Sequence, residues 1–179
     1  MNLNVARTRQ KKTITVVQGD YAVSDDPDAV MSTVLGSCVA VCLFDPVARV
    51  GGMNHFLLAS QGDARSNDLK YGVNAMELLI NRVLRKGGVR ENLRAKLFGG
   101  ARMTDHSRDI GRSNADFALE FLEREGIPCM SQSLGGDNAR RVQFSPTTGA
   151  ARQLQIAGQP PVAETPRAPQ PAAADITLF

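Results

Sequence analysis

Two residues in this sequence have the types and the spacing to make a nucleophile and its base. Cys38 lies in Thr33-Val34-Leu35-Gly36-Ser37-Cys38-Val39-Ala40-Val41-Cys42-Leu43, and His55 follows in Gly51-Gly52-Met53-Asn54-His55-Phe56. A thiol attacks a carbonyl carbon as its thiolate, and imidazole is the usual group that takes the proton near neutral pH. A Gly-Ser turn delivers Cys38 to the start of an apolar strand-like run, a place from which a side chain reaches a cleft. The other two cysteines have plainer surroundings. Cys42 stands inside Val41-Cys42-Leu43-Phe44 and Cys129 follows Ile127-Pro128, so both are expected in the core, the commonest place for a free cysteine.

A structural zinc site is the competing chemistry. Cys38, Cys42 and His55 are spaced C-x3-C-x12-H, close to the first three ligands of a zinc finger. The fourth is missing: Ala59, Ser60 and Gln61 stand where a second histidine would fall, and the other histidine, His106, is far along the chain. A closed tetrahedral site needs four ligands, so the sequence calls for neither a metal nor another cofactor.

The elements that must position Cys38 and His55 read as a hairpin. Val39 to Phe44 is a buried strand closed by Asp45-Pro46, and Arg49 to Leu58 is the next strand, carrying His55. A hairpin sets the start of one strand against the end of the other, which brings the two residues to one end of a ribbon. Upstream, Thr13 to Val17, Tyr21 to Val23 and Val30 to Leu35 are strand-like, separated by Gly19-Asp20 and Asp25-Asp26-Pro27. Residues 60–70 are polar and read as a loop. Asn74 to Leu84 has helical periodicity, with Ala75, Met76, Leu78, Leu79 and Val83 on its apolar face and Gly87-Gly88 as its stop. Ala95 to Phe98 is a short strand running into Gly99-Gly100. Ser113 or Asn114 is placed to cap a second helix, Ala115 to Glu125, which ends at Gly126. Ile127 to Ser131, Arg140 to Ser145 and Arg152 to Ile156 complete the strands.

Composition sets the outer bounds. With 179 residues, 42% hydrophobic and 22% charged, the chain suits one globular domain with its own core. Its apolar runs are strand-sized, so membrane insertion is not expected. The N-terminus does not read as a signal peptide, and an odd number of cysteines suits a reducing cytoplasm. The net charge of +3 comes partly from Arg7, Arg9, Lys11 and Lys12, in a flexible basic arm over residues 1–11. Aromatics are 5% and no nucleic-acid motif is present, so no nucleic-acid partner is expected. From Gly158 the chain is rich in Pro and Ala, and residues 158–179 read as a disordered tail. The tail nonetheless ends on Asp175-Ile176-Thr177-Leu178-Phe179, which suggests a tethered docking peptide.

Taken in order, these motifs resemble a family. Leu35 to Cys42, Asp45-Pro46 and Gly51 to His55 are similar to the chemoreceptor glutamine deamidases of bacterial chemotaxis, the CheD family. The likeness continues through Gly19-Asp20-Tyr21-Ala22-Val23, Lys96 to Ala101, Asp109 to Asn114, Leu134-Gly135-Gly136 and Arg140 to Phe144, and covers residues 12–157. The resemblance implies an α/β protein, a layered α/β/β/α sandwich with mixed sheets, and a Cys–His–Thr catalytic set. By position the nucleophile falls on Cys38, the base on His55 and the threonine on Ser32, six residues before the cysteine. Thr33 is next door, and neighbouring strand residues point to opposite faces. The backbone N–H groups around Gly36, Ser37 and Cys38 are the oxyanion candidates. The implied reaction turns a receptor glutamine into glutamate and ammonia through a thioester, a route that also admits glutamate methyl esters. The implied partners are the cytoplasmic helices of chemoreceptors and a chemotaxis phosphatase, at receptor arrays. The alternative is a docking regulator without catalysis, for which Cys38 and His55 have no use.

Overall fold

The computed structural model describes residues 11–58, 65–104, 108–157 and 176–179. The basic arm up to residue 10, His106 and the Pro/Ala-rich stretch 158–175 lie outside the described residues.

The expected hairpin is the centre of the molecule. β4 (Val39–Asp45) pairs antiparallel with β5 (Val50–Phe56), from Val39 opposite Phe56 to Asp45 opposite Val50. The turn between them is built by Asp45, whose Oδ1 accepts the N–H groups of Val47 (2.8 Å) and Ala48 (2.9 Å), while Oδ2 accepts that of Val89 (2.8 Å). All seven residues of each strand are buried. The strands are covered on both faces, which explains why β4 reads as a continuous apolar run rather than an alternation.

Two five-stranded mixed sheets stack face to face. One has the order β2 (Tyr21–Ser24), β5, β4, β6 (Arg94–Gly99), β7 (Cys129–Leu134); only β6 and β7 run parallel. The other has the order β1 (Lys12–Thr15), β3 (Ala29–Leu35), β8 (Ala139–Phe144), β9 (Ala151–Ile156), β10 (Ile176–Leu178); only β1 and β3 run parallel. Met31, Leu35, Ala40, Cys42, Met53, Phe98, Val142 and Phe144 fill the layer between the sheets. On the far face of the first sheet, Val39, Val41, Leu43 and Phe56 meet the helices α1 (Arg65–Arg85) and α2 (Arg108–Arg124). The α/β class and the two stacked mixed sheets are as expected; the second helix layer of the implied α/β/β/α sandwich is not seen among the described residues. Among the described residues both helices pack on the β4–β5 sheet, so the layers run α/β/β.

Several local expectations change. α1 begins at Arg65 rather than Asn74, and α2 at Arg108 rather than beyond Asn114. The polar composition of 65–73 reflects a solvent-facing first half, where Asn67, Asp68 and Lys70 stay exposed or half-exposed. Leu78 is 38% exposed, so the apolar face runs through Met76, Leu79, Ile80 and Val83 without it. Cys129 is exposed, because it starts β7, the edge strand of its sheet. Finally, Ile176–Leu178 pairs antiparallel with β9, and Phe179 exchanges backbone hydrogen bonds with Ala151. The ring of Phe179 meets Phe98 edge-on at 5.3 Å between centroids. The apolar tip of the chain therefore docks on its own domain.

Candidate active site

Three segments converge at one end of the inter-sheet layer. β3 ends at Leu35, the Gly36-Ser37-Cys38 turn follows, and β4 starts at Val39. His55 is the penultimate residue of β5 and pairs with Ala40, two residues beyond Cys38. Met53 faces the inter-sheet core, and the two-residue period of a strand puts His55 on the same face. The backbone of His55 is gripped on its other edge: its N–H donates to the Asp20 carbonyl (3.0 Å) and its carbonyl accepts from Gly19 (2.7 Å).

The imidazole is buried, and its tautomer follows from its neighbours. The Thr33 hydroxyl donates its one proton to the Val16 carbonyl at 2.7 Å. At 2.9 Å from His55 Nδ1, that hydroxyl oxygen must therefore accept, and Nδ1 must carry the ring proton. The Val16 carbonyl also lies 3.4 Å from Nδ1, reinforcing the assignment. Nε2 is left with its lone pair, and it is buried without a hydrogen-bond partner. A buried acceptor with no donor is costly in an ordinary core and useful in a base.

Ionisation follows from burial. Burial pulls the basicity of His55 down, with the Val16 carbonyl acting the other way, so the ring is neutral at neutral pH. Burial pushes the half-buried Cys38 thiol up, partly offset by the N–H groups of Gly36 and Cys38. The resting pair is thus thiol and imidazole, not thiolate and imidazolium. Cys42 is fully buried among apolar neighbours and its thiol is pushed far up, which makes it inert.

The turn that carries Cys38 is pinned through its carbonyls. Gly36 C=O accepts from Ala101 N–H and Cys38 C=O from Gly100 N–H, both at 2.8 Å. Ser37 C=O accepts from the Asn114 side-chain amide at 3.3 Å. Gly99 makes this approach possible. Its φ is +118°, and a Cβ there would lie 2.1 Å from the Cys38 carbonyl oxygen. Only glycine fits.

The structure thus brings Cys38, His55 and the Gly36-Ser37 turn to one end of the layer. Ser32, given the third role by the resemblance, is placed differently. It sits one residue from Thr33 in β3 and opposite Gln143, so its side chain points to the sheet face away from His55. The hydroxyl on the imidazole belongs to Thr33. Two contributors were not assigned from sequence. The Val16 carbonyl has no side-chain signature, and Asn114, a helix-cap candidate by sequence, sits well inside α2. The described residues hold no cluster of three or more His, Cys, Asp or Glu suited to a metal ion, and no described helix is long and apolar enough to cross a membrane.

Comparison with known proteins agrees with the motif order. The family model for CheD chemotactic sensory transduction matches residues 57–154. The probable chemoreceptor glutamine deamidase CheD 1 of Ruegeria sp. (strain TM1040) is 53% identical, with 93% of this chain and 95% of that protein covered. The probable chemoreceptor glutamine deamidase CheD of Agrobacterium fabrum is 50% identical, with 94% and 97% covered. Among solved structures, the Bacillus licheniformis hypothetical protein YfiH aligns with a TM-score of 0.42 at 17% identity, over 72% of this chain and 61% of that one. With half its residues shared over nearly its whole length, this chain belongs to the CheD family of chemotactic sensory transduction proteins.

Proposed function

We propose that the protein is a hydrolase that deamidates glutamine side chains of chemoreceptors, with Cys38 as nucleophile, His55 as base and Thr33 as the residue that orients the base. The observation that carries this reading is the bare, buried Nε2 of His55, held in that tautomer by Thr33 and Val16 at the end of the layer where Cys38 enters β4. Relatives at half identity named as chemoreceptor glutamine deamidases supply the substrate class.

The chemistry balances without a cofactor. Nε2 takes the Cys38 proton as Sγ bonds to the carboxamide carbon. The carbonyl oxygen becomes an oxyanion that backbone N–H groups of the turn hold. Collapse breaks the C–N bond, and the proton on Nε2 passes to the leaving nitrogen, giving ammonia and a thioester. Water, deprotonated by Nε2, then attacks the thioester carbon. The products are a glutamate carboxylate and the free thiol. A glutamate methyl ester enters the same cycle with methanol as leaving group.

Beside α2 and β7, a cavity of about 730 Å³ is lined by Gly100, Arg102, Arg112, Leu119, Leu134 and Asp137; Cys38 and His55 do not line it, and it meets the nucleophile turn only through Gly100, whose N–H holds the Cys38 carbonyl. Charged and apolar side chains on one opening suit an amphipathic receptor helix. The test is mass spectrometry of a receptor cytoplasmic fragment incubated with the protein, reading mass gains of about 1 Da per glutamine that depend on Cys38.

A further inference from the structure

We propose that Asn114 is a positioning residue of this site: by holding the Ser37 carbonyl, it aims the Cys38 N–H into the space where the oxyanion forms. The inference rests on the deamidase reading above and assigns a side chain to the preorganisation of that site.

The peptide plane couples these two groups. In a trans peptide the C=O and the following N–H point in opposite directions, and no cis peptide is present among the described residues. Fixing the Ser37 carbonyl therefore fixes the Cys38 N–H. The flanking carbonyls, Gly36 and Cys38, are held by backbone donors, Ala101 and Gly100. Only the middle peptide, the one that ends in the nucleophile's own N–H, depends on a side chain.

Asn114 is built for this role and poorly suited to a simpler one. It lies inside α2, past the first turn, so it does not cap the helix. Asparagine is a weak residue in a helix interior, and a buried amide is costly unless it is bonded. Asn114 has no solvent exposure, and both ends of its amide are used. Oδ1 accepts from Leu58 N–H at 2.7 Å. Nδ2 donates to the Ile110 carbonyl at 2.8 Å and lies 3.3 and 3.4 Å from the carbonyls of Ser37 and Leu58. One N–H and three carbonyls leave only one orientation for the amide. Leu58 closely follows β5, which carries His55, so one side chain ties the nucleophile turn to the chain that presents the base. The approach is enforced by Gly111, one turn earlier in α2: a Cβ there would lie 2.6 Å from the carbonyl oxygens of both Gly100 and Ala101. The helix backbone sits directly on the segment that pins the turn.

The test compares two buried asparagines. Asn54, also buried, bonds Val41 N–H and the Ala75 carbonyl and does not touch the turn. Asn114→Ala and Asn54→Ala are purified, their melting measured, and each is assayed for receptor-fragment deamidation and for Cys38 alkylation by iodoacetamide at a pH high enough to ionise the thiol. Alkylation forms no oxyanion, so it reads the thiol without the hole. Loss of one oxyanion donor typically lowers kcat by ~10²–10³; a misaimed donor in Asn114→Ala is expected to lower kcat by roughly 10–100-fold, with KM and the alkylation rate within about twofold of wild type. Asn54→Ala is expected to melt lower with kcat nearly unchanged. If Asn114→Ala does not fold, Asn114→Asp, which keeps the acceptor for Leu58 N–H and loses the donor to Ser37, is measured in its place. Unchanged kcat in a folded Asn114 variant, or kcat and alkylation falling together, overturns the positioning role while leaving the deamidase reading intact. A wild-type protein inactive on the fragment overturns the deamidase reading and this role with it.

Discussion

At Cys38 and His55 the reactivity of the site is set by what burial does to each ionisation. A thiol pushed up and an imidazole pulled down need each other, because neither supplies thiolate alone. His55→Ala is therefore expected to slow iodoacetamide alkylation of Cys38 at neutral pH and to remove nearly all deamidation; superimposable rate–pH curves for the two proteins would take His55 out of the base role. The acid limb of kcat/KM should fall below the ordinary histidine range, about 6.5, because a ring that resists protonation stays a base to lower pH. The third role divides two neighbours. Thr33→Ala removes the acceptor that holds Nδ1–H and is expected to cost roughly tenfold in kcat, about the worth of one orienting hydrogen bond. Ser32→Ala should change kcat little, and the opposite pattern would return the role to Ser32. The convergence of Cys38 and His55 at one end of a ribbon was readable because a Gly-Ser turn and a short hairpin are local signals. Thr33 was not separable from Ser32, since the choice depends on which face of β3 meets the other sheet, a property of the stacked sheets rather than of the segment.

The hairpin that delivers both residues depends on Asp45. This carboxylate is fully buried and accepts three backbone N–H groups, two in its own turn and one from Val89. Burial pushes its pKa up, but the N–H groups of Ala48, Val89 and Val47, with Asn92, outweigh it and hold the carboxyl below the usual range. The sign follows: this stabilisation is complete above the ordinary carboxylate pKa, about 3.9, and is lost as pH falls through the lower folded value. Asp45→Ala removes the acceptor of three donors on exposed residues, so the loss is that of charge-assisted hydrogen bonds rather than of buried orphans, and it should lower stability by roughly 1.5–3 kcal/mol in a urea titration. A loss under about 1 kcal/mol would mean that water replaces the carboxylate. Asp45-Pro46 was legible as a turn, whereas the bond to Val89 joins residues 44 positions apart. The start of α1 was missed for a related reason. Its first half shows little apolar face, so periodicity had nothing to register.

On the scale of the molecule, the two sheets share one apolar layer, and the chain's last residue closes part of it. Phe179 packs on Phe98, which pairs with Ala40, and Ala40 pairs with His55. Composition marks the tip as apolar but says nothing of where it docks, because its partner Ala151 lies beyond a long Pro/Ala-rich stretch. Phe179→Ala should cost roughly 1–2 kcal/mol, less than a fully buried aromatic, and leave Cys38 alkylation unchanged; no fall in melting temperature would mean that the tip contributes nothing to the fold. The layered α/β class followed from the family likeness, and the pairing order of the sheets did not follow from any single segment.

The proposed reaction takes place at one thiol, that of Cys38. Wild-type protein and Cys38→Ala are incubated with a receptor cytoplasmic fragment, and the fragment's peptides are read by mass spectrometry. The expected result is a gain of about 1 Da at specific glutamines with the wild type and none with a folded Cys38→Ala. Equal conversion by the two proteins, or none by either, would contradict it.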